Sequence, residues 1–146
     1  MGTDREENTI ALTETKNRHR IGNDLVIVYI EDNQSNIELV ENIIIEHCTG
    51  TRLITSTFGL QTTDLALKHN PALILLDLDL PDIQGGEVLR LLMNDDRTKS
   101  IPVVIVSADA MPRQIETLMN MGAKDYLSKL LDIARFLHVI DQYINT

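Results

Sequence analysis

Four apolar residues in succession, Leu73-Ile74-Leu75-Leu76, run straight into Asp77, and the stretch continues Leu78-Asp79-Leu80-Pro81. A strand that is apolar at every position, and not at alternate ones, is buried on both faces. That places it inside a parallel sheet covered by helices on either side, which means an α/β architecture. Pro81 ends the ladder because it has no amide to donate, and Gly85-Gly86 turns the chain. Asp77 then lies at the carboxyl end of a central strand, the edge at which open α/β sheets bind their ligands. An ionised carboxylate against a dry core is costly unless something pairs with it. Asp77 is therefore a candidate nucleophile.

The rest of the chain alternates accordingly. Leu25 to Ile30 predicts a strand, followed by a helix that opens on the capping-box pattern Ser35-x-x-Glu38, with Ile37, Val40 and Ile44 inward. Thr51 to Thr55 predicts a weaker strand and Thr63 to Lys68 a helix. After the Asp77 strand comes a helix carrying Val88, Leu91 and Leu92, then a strand from Ile101 to Val106 with Pro102 at its start. Ile115, Leu118 and Met119 mark a further helix, ended by Gly122. A short strand around Tyr126-Leu127 leads to a last helix, on which Ile133, Phe136, Leu137, Ile140 and Ile144 recur at i, i+3, i+4 spacing. Five strands alternating with five helices predict a doubly wound parallel sheet over residues 24–146. Residues 1–23, whose Ile10, Ala11, Leu12 and Ile21 follow no period, predict a flexible extension or linker.

Length and charge narrow the function. A chain of 146 residues with 43% hydrophobic content supports one domain with a real core. Its net charge of -9 argues against direct contact with nucleic acid or an anionic membrane. No apolar run approaches the ~20 residues of a membrane span. The single Cys48 cannot form an internal disulfide, which fits a reducing cytoplasm.

Polar residues close strand after strand. Glu31-Asp32 ends the first, Asp77 the third and Ser107 the fourth, and Lys129 follows the fifth. In a parallel sheet these ends share one edge. Carboxylates ~5 Å apart repel by about 3 kcal/mol per pair at an effective dielectric of ~20, so such a cluster calls for a cation. An oxygen-only donor set suits Mg2+ or Mn2+ better than Zn2+, and His19, His47, His69 and His138 sit at none of the strand ends. With a metal held by Asp32 and Asp77, one Asp77 oxygen would stay free to attack phosphorus in line. Ser107 would donate a hydrogen bond to one phosphoryl oxygen and Lys129 would pair with another. Neither G-x-x-x-x-G-K-[ST] nor G-x-G-x-x-G is present, so the phosphoryl group must arrive on another molecule.

At these residues the sequence resembles the receiver domains of two-component response regulators, over about residues 24–146. Tyr29-Ile30-Glu31-Asp32-Asn33 is similar to the family's acidic-pair segment. Leu75-Leu76-Asp77-Leu78-Asp79-Leu80-Pro81, with Gly85, resembles the phosphoacceptor strand and loop. Val104-Ile105-Val106-Ser107-Ala108 resembles the strand that ends in the switch hydroxyl, and Gly122 to Lys129 the last strand with its switch aromatic and lysine. The resemblance implies a flavodoxin-like (βα)5 fold and makes Asp77 the phosphorylated residue. It implies Mg2+ bound by Asp32, by Glu31 directly or through water, by Asp77 and by the Asp79 backbone carbonyl. Ser107 and Tyr126 would be the coupled switch pair, changing the face of the last two helices and last strand. The donor would be a phosphohistidine on a sensor histidine kinase or a phosphotransfer domain. The recipient of the signal would be a downstream protein that the sequence does not name, and a homodimer through the same face is compatible with this reading. Such a module catalyses only its own phosphoryl transfer and dephosphorylation.

Two departures stand out. The acidic pair begins with Glu31 and not Asp, and Leu130 takes the place of the proline that usually follows the lysine. A non-proline cis bond costs ~3 kcal/mol, so the Lys129-Leu130 bond is expected to be trans, with the lysine shifted or its loop loosened. Glu31 to Asn36 and Ser107-Ala108-Asp109-Ala110 look more like receivers attached to hybrid sensor kinases than like those preceding DNA-binding domains; a stand-alone regulator and a piece of a larger protein both stay open. A rival reading is a haloacid-dehalogenase-type phosphatase with Asp77 as nucleophile and Asp79 as general acid. Its second acidic cluster would follow the lysine, whereas here the acidic pair precedes the nucleophile by a βαβ unit. A third reading is a receiver-like interaction module that turns over no phosphate.

Overall fold

The computed structural model describes residues 25–144; the extension expected over 1–23 lies outside them. Strand β1 (Leu25–Ile30), helix α1 (Gln34–His47), β2 (Thr51–Ser56), α2 (Thr62–His69) and β3 (Leu73–Asp77) form the first half. The second half comprises α3 (Gly85–Met93), β4 (Val103–Ser107), α4 (Pro112–Met121), β5 (Asp125–Ser128) and α5 (Ile133–Ile144). A 3-10 turn at Gly59–Gln61 leads into α2. All strand pairs are parallel, in the order β2-β1-β3-β4-β5. That is the flavodoxin-like doubly wound order, with its switch point between β1 and β3.

Both β3 and β4 are buried at every position, as their unbroken apolar runs require. Alternation along the strands sorts the core into two layers. Ile27, Tyr29, Leu75, Val106 and Leu127 pack under α1 and α5, with Ile44, Phe136 and Ile140. Val28, Ile30, Leu76, Ile105 and Ala123 pack on the other face with Ala66 of α2, Val88 and Leu89 of α3 and Leu118 of α4. Neighbouring side chains of one strand thus belong to different layers.

Several local expectations shift. Helix α1 is capped by Asn33, whose side chain accepts from the Asn36 amide at 3.0 Å, so Ser35 lies inside the helix and forms no capping box. Asn33 satisfies the orphan donor first, since its extended backbone places the side-chain oxygen over the first turn. On α3 the inward row is Gly85, Val88, Leu89 and Leu92, while Leu91 faces out. On α5 the row is Phe136, Val139, Ile140 and Ile144, with Ile133 exposed; on α4 only Leu118 is buried and Met119 is exposed. A 100° turn per residue separates these neighbours, and the sequence alone did not single out Leu89 or Val139. Strand β4 begins at Val103, beyond Pro102, whose carbonyl still accepts from the Ile74 amide at 2.9 Å. Gly122 ends α4 as expected, with φ 127° and its amide turned back to Leu118 and Met119.

Candidate functional site

Parity along the strands decides which side chains meet. Leu75 and Asp77 share one side of β3; Glu31, one residue past β1, keeps the side of Tyr29, and Lys129, one residue past β5, keeps that of Leu127. Because Tyr29, Leu75 and Leu127 all face the α1/α5 layer, the polar residues two positions on emerge together at its carboxyl edge. Glu31, Asp32 and Asp77 each offer a carboxylate oxygen within 4.8 Å of the others. Glu31 and Asp77 are fully buried, and Asp32 is exposed at the rim.

Lys129 joins them from 98 positions away. Its ammonium lies 3.1 Å from Glu31 Oε2 and 3.0 Å from Asp77 Oδ1. Burial opposes the charge on Lys129, but the bonds to Asp77 and Glu31 outweigh it and raise its pKa. Asp77 Oδ1 also accepts from the Asp79 amide at 3.2 Å, while Oδ2 is buried without a hydrogen-bond partner among the described residues. Burial is the main force that pushes the Asp77 carboxyl up to about 6; the Asp79 amide and Lys129 pull the other way, and the Glu31 charge adds to the rise.

Glu31 is held at both oxygens. Oε1 accepts from the Tyr29 hydroxyl at 2.8 Å, and Oε2 accepts from the Asn33 amide at 3.2 Å as well as from Lys129. Burial first, and then the Glu31 charge, drives the Tyr29 phenol upward, so it stays a proton donor. Sequence reasoning had not assigned Tyr29 a part in the site, although its position two residues before Glu31 on the same strand face was the signal.

Ser107 and Tyr126 belong to the other side of the sheet. Ser107 is buried and follows Val106, the register partner of Asp77. Its carbonyl accepts from the Lys129 amide at 3.0 Å and from the Tyr126 hydroxyl at 3.2 Å. Ser107 caps no helix, since α4 starts only at Pro112 after Met111. The Lys129-Leu130 bond is trans, as no cis peptide occurs among the described residues. Leu130 projects outward, 90% exposed, and the lysine still reaches both carboxylates.

The loop after β3 is tied down twice. Asp82 accepts from the Gly59 and Leu60 amides, each at 2.9 Å, which joins this loop to the turn after β2. Gly85 donates to the Leu78 carbonyl at 2.9 Å, and its backbone packs so tightly that a Cβ would come 2.7 Å from Leu78 Cα and press on the Asp77 carbonyl. Asp79 and Asp109 both point to solvent.

Among the described residues, one ammonium stands against three carboxylates, and one buried carboxylate oxygen lacks a partner. A hard divalent cation fits that imbalance and that all-oxygen donor set. Among the described residues no helix is long and apolar enough to cross a membrane.

Comparison with known proteins agrees with this geometry. The family model of the response regulator receiver domain matches residues 27–141. The polar-differentiation response regulator DivK of Brucella anthropi is 36% identical over 118 residues, covering 81% of this chain and 94% of DivK. The Mn2+-bound form of response regulator Rcp1 is similar at a TM-score of 0.71 and 26% identity, over 83% of this chain and 94% of Rcp1. The receiver domain of a sensor histidine kinase from Pseudomonas aeruginosa PAO1, solved with magnesium in its active site cleft, shares the fold. Its TM-score is 0.74 at 24% identity, over 84% of this chain and 99% of that domain. With a family model spanning nearly all of the described residues and a relative this similar along almost its full length, the chain belongs to the response regulator receiver domain family, and is a phosphoaccepting receiver of two-component signalling.

Proposed function

We propose that Asp77 is the residue phosphorylated, and that it takes the phosphoryl group from a phosphohistidine on a sensor histidine kinase or a histidine phosphotransfer domain. One observation carries this reading: Asp77 is fully buried, its Oδ1 is engaged by Lys129 and the Asp79 amide, and its Oδ2 has no partner among the described residues. Oδ2 is the oxygen with a lone pair to spend. As it bonds to phosphorus, the phosphorus–nitrogen bond of the donor breaks, and the imidazole nitrogen keeps the electron pair and takes a proton. Glu31, Asp32, Asp77 and the Asp79 backbone carbonyl would hold Mg2+ or Mn2+, which supplies positive charge against the phosphoryl oxygens. The Lys129 ammonium, already beside Oδ1, pairs with one phosphoryl oxygen and the Ser107 hydroxyl donates to another.

The switch follows from the same atoms. The Tyr126 hydroxyl rests on the Ser107 carbonyl, so a Ser107 drawn toward a new phosphoryl group disturbs the ring's support. The face of α4, β5 and α5 then changes and controls a downstream protein in the cytoplasm. In the phosphatase reading Asp79 would be the general acid, yet Asp79 is exposed and it is its backbone amide that donates to Asp77 Oδ1.

Intact-protein mass after incubation with Mg2+ and acetyl phosphate tests the assignment. A single phosphoryl adduct, lost in hydroxylamine and absent from Asp77→Asn, is expected. Wild-type protein that binds Mg2+ but gains no adduct would instead be an interaction module without phosphate chemistry.

A further inference from the structure

Glutamate has one more rotatable bond than aspartate, and holding it in one pose costs correspondingly more side-chain entropy. Glu31 begins the acidic pair in this chain, so its longer arm needs an anchor if its carboxylate is to face the other ligands. Tyr29 is placed to be that anchor. Its ring is 1% exposed in the α1/α5 layer, where packing asks for an aromatic ring but not for a hydroxyl. A buried hydroxyl is costly unless bonded, and this one ends 2.8 Å from Glu31 Oε1. With Oε1 occupied, Oε2 is turned toward Asn33, Lys129 and the Asp77 edge.

We propose that Tyr29 is a positioning residue for the cation site: its hydroxyl fixes the Glu31 carboxylate, so that glutamate serves in this chain as a ligand of defined orientation. The proposal rests on the assignment of Glu31 to the metal site. Hydrogen-bonded partners of ligating carboxylates are often worth ten- to a hundredfold in metal affinity, and losing the hydroxyl is expected to weaken Mg2+ binding by about tenfold. The effect belongs to the pair. An aspartate at position 31 is too short to meet the hydroxyl, so removing the hydroxyl there should change nothing.

The test is a double-mutant cycle read by calorimetric titration of the metal-free protein with Mg2+, using wild type, Tyr29→Phe, Glu31→Asp and the double variant. Phenylalanine keeps the ring, and urea unfolding of each variant confirms that it folds. The expected result is a loss of about tenfold on Tyr29→Phe in the wild-type background and none in the Glu31→Asp background. An unchanged affinity in Tyr29→Phe overturns the proposal, and so does an equal loss in both backgrounds, which would mean that the ring acts through packing. A parallel urea-unfolding cycle over the same four metal-free proteins must also show coupling between the two side chains, since Glu31→Asp takes the carboxylate out of reach of the hydroxyl; additivity there overturns the proposal. Absence of Mg2+ binding by the wild type, with Asp32→Asn as control, would remove the metal reading itself and the proposal with it. Wild-type binding that Tyr29→Phe leaves intact removes only the tyrosine's part.

Discussion

Asp77 carries an ionisation penalty that the rest of the protein must bear. Its carboxyl titrates near 3.8 when exposed and is pushed up to about 6 by burial in the metal-free fold. A carboxyl whose folded value is raised binds its proton more tightly in the native state. Its contribution to stability is therefore full below about pH 4 and is lost as pH rises through about 6. The amount at stake is on the order of 3 kcal/mol. Asp77→Asn cannot titrate, so in the absence of divalent cation the stability of wild type relative to Asp77→Asn should fall by roughly that amount between pH 4 and pH 7. Urea unfolding at several pH values measures it, and a flat difference would refute it. The residues of this edge were mostly legible in the sequence because each closes an apolar strand, where a charge has no structural excuse. The Tyr29 hydroxyl was not legible, because a tyrosine in an apolar strand reads first as a ring, and only the distance to Glu31 gives its oxygen a purpose.

Helix α1 shows how a start signal can be misplaced by two residues without altering the fold. Asn33 and Ser35 are both good capping residues, and Glu38 completes a box only with Ser35. In the structure Asn33 holds the Asn36 amide, and its own amide is already committed to Glu31, so the helix begins where the site needs it. Asn33→Ala should cost about 1 kcal/mol, whereas Ser35→Ala should stay within ~0.5 kcal/mol. The opposite ranking in denaturant unfolding would return the cap to Ser35. Strand positions were read well because an uninterrupted apolar run has few interpretations. The inward rows of α3 and α5 were read less well, since Leu89 and Leu91, or Leu137 and Val139, differ by rotations that only packing against the sheet selects. The Ile101 start of β4 failed for another reason: Pro102 can lend its carbonyl to the ladder without belonging to the strand.

Taken together, the sheet concentrates like charge at one edge, and a bound cation would relieve it. Binding to the native state alone stabilises by about 2.7 kcal/mol when free ligand reaches roughly a hundred times its dissociation constant. Millimolar Mg2+ should accordingly raise the unfolding midpoint of the wild type, and the gain should shrink in Asp32→Asn, which keeps the buried pair of carboxylates but removes the exposed one. A thermal melt with and without Mg2+ decides it; equal gains in both proteins would place the ion elsewhere. The distance of 98 positions between Glu31 and Lys129 bears also on how the chain is made. Strands β1 to β4 leave the ribosome with every acidic member of the cluster and without its lysine. Without β5 the edge has three carboxylates and lacks the Lys129 ammonium that pairs with two of them. The last strand to be synthesised is the one that brings the protein's own counter-charge, so completing the sheet and balancing its edge are a single event in biogenesis.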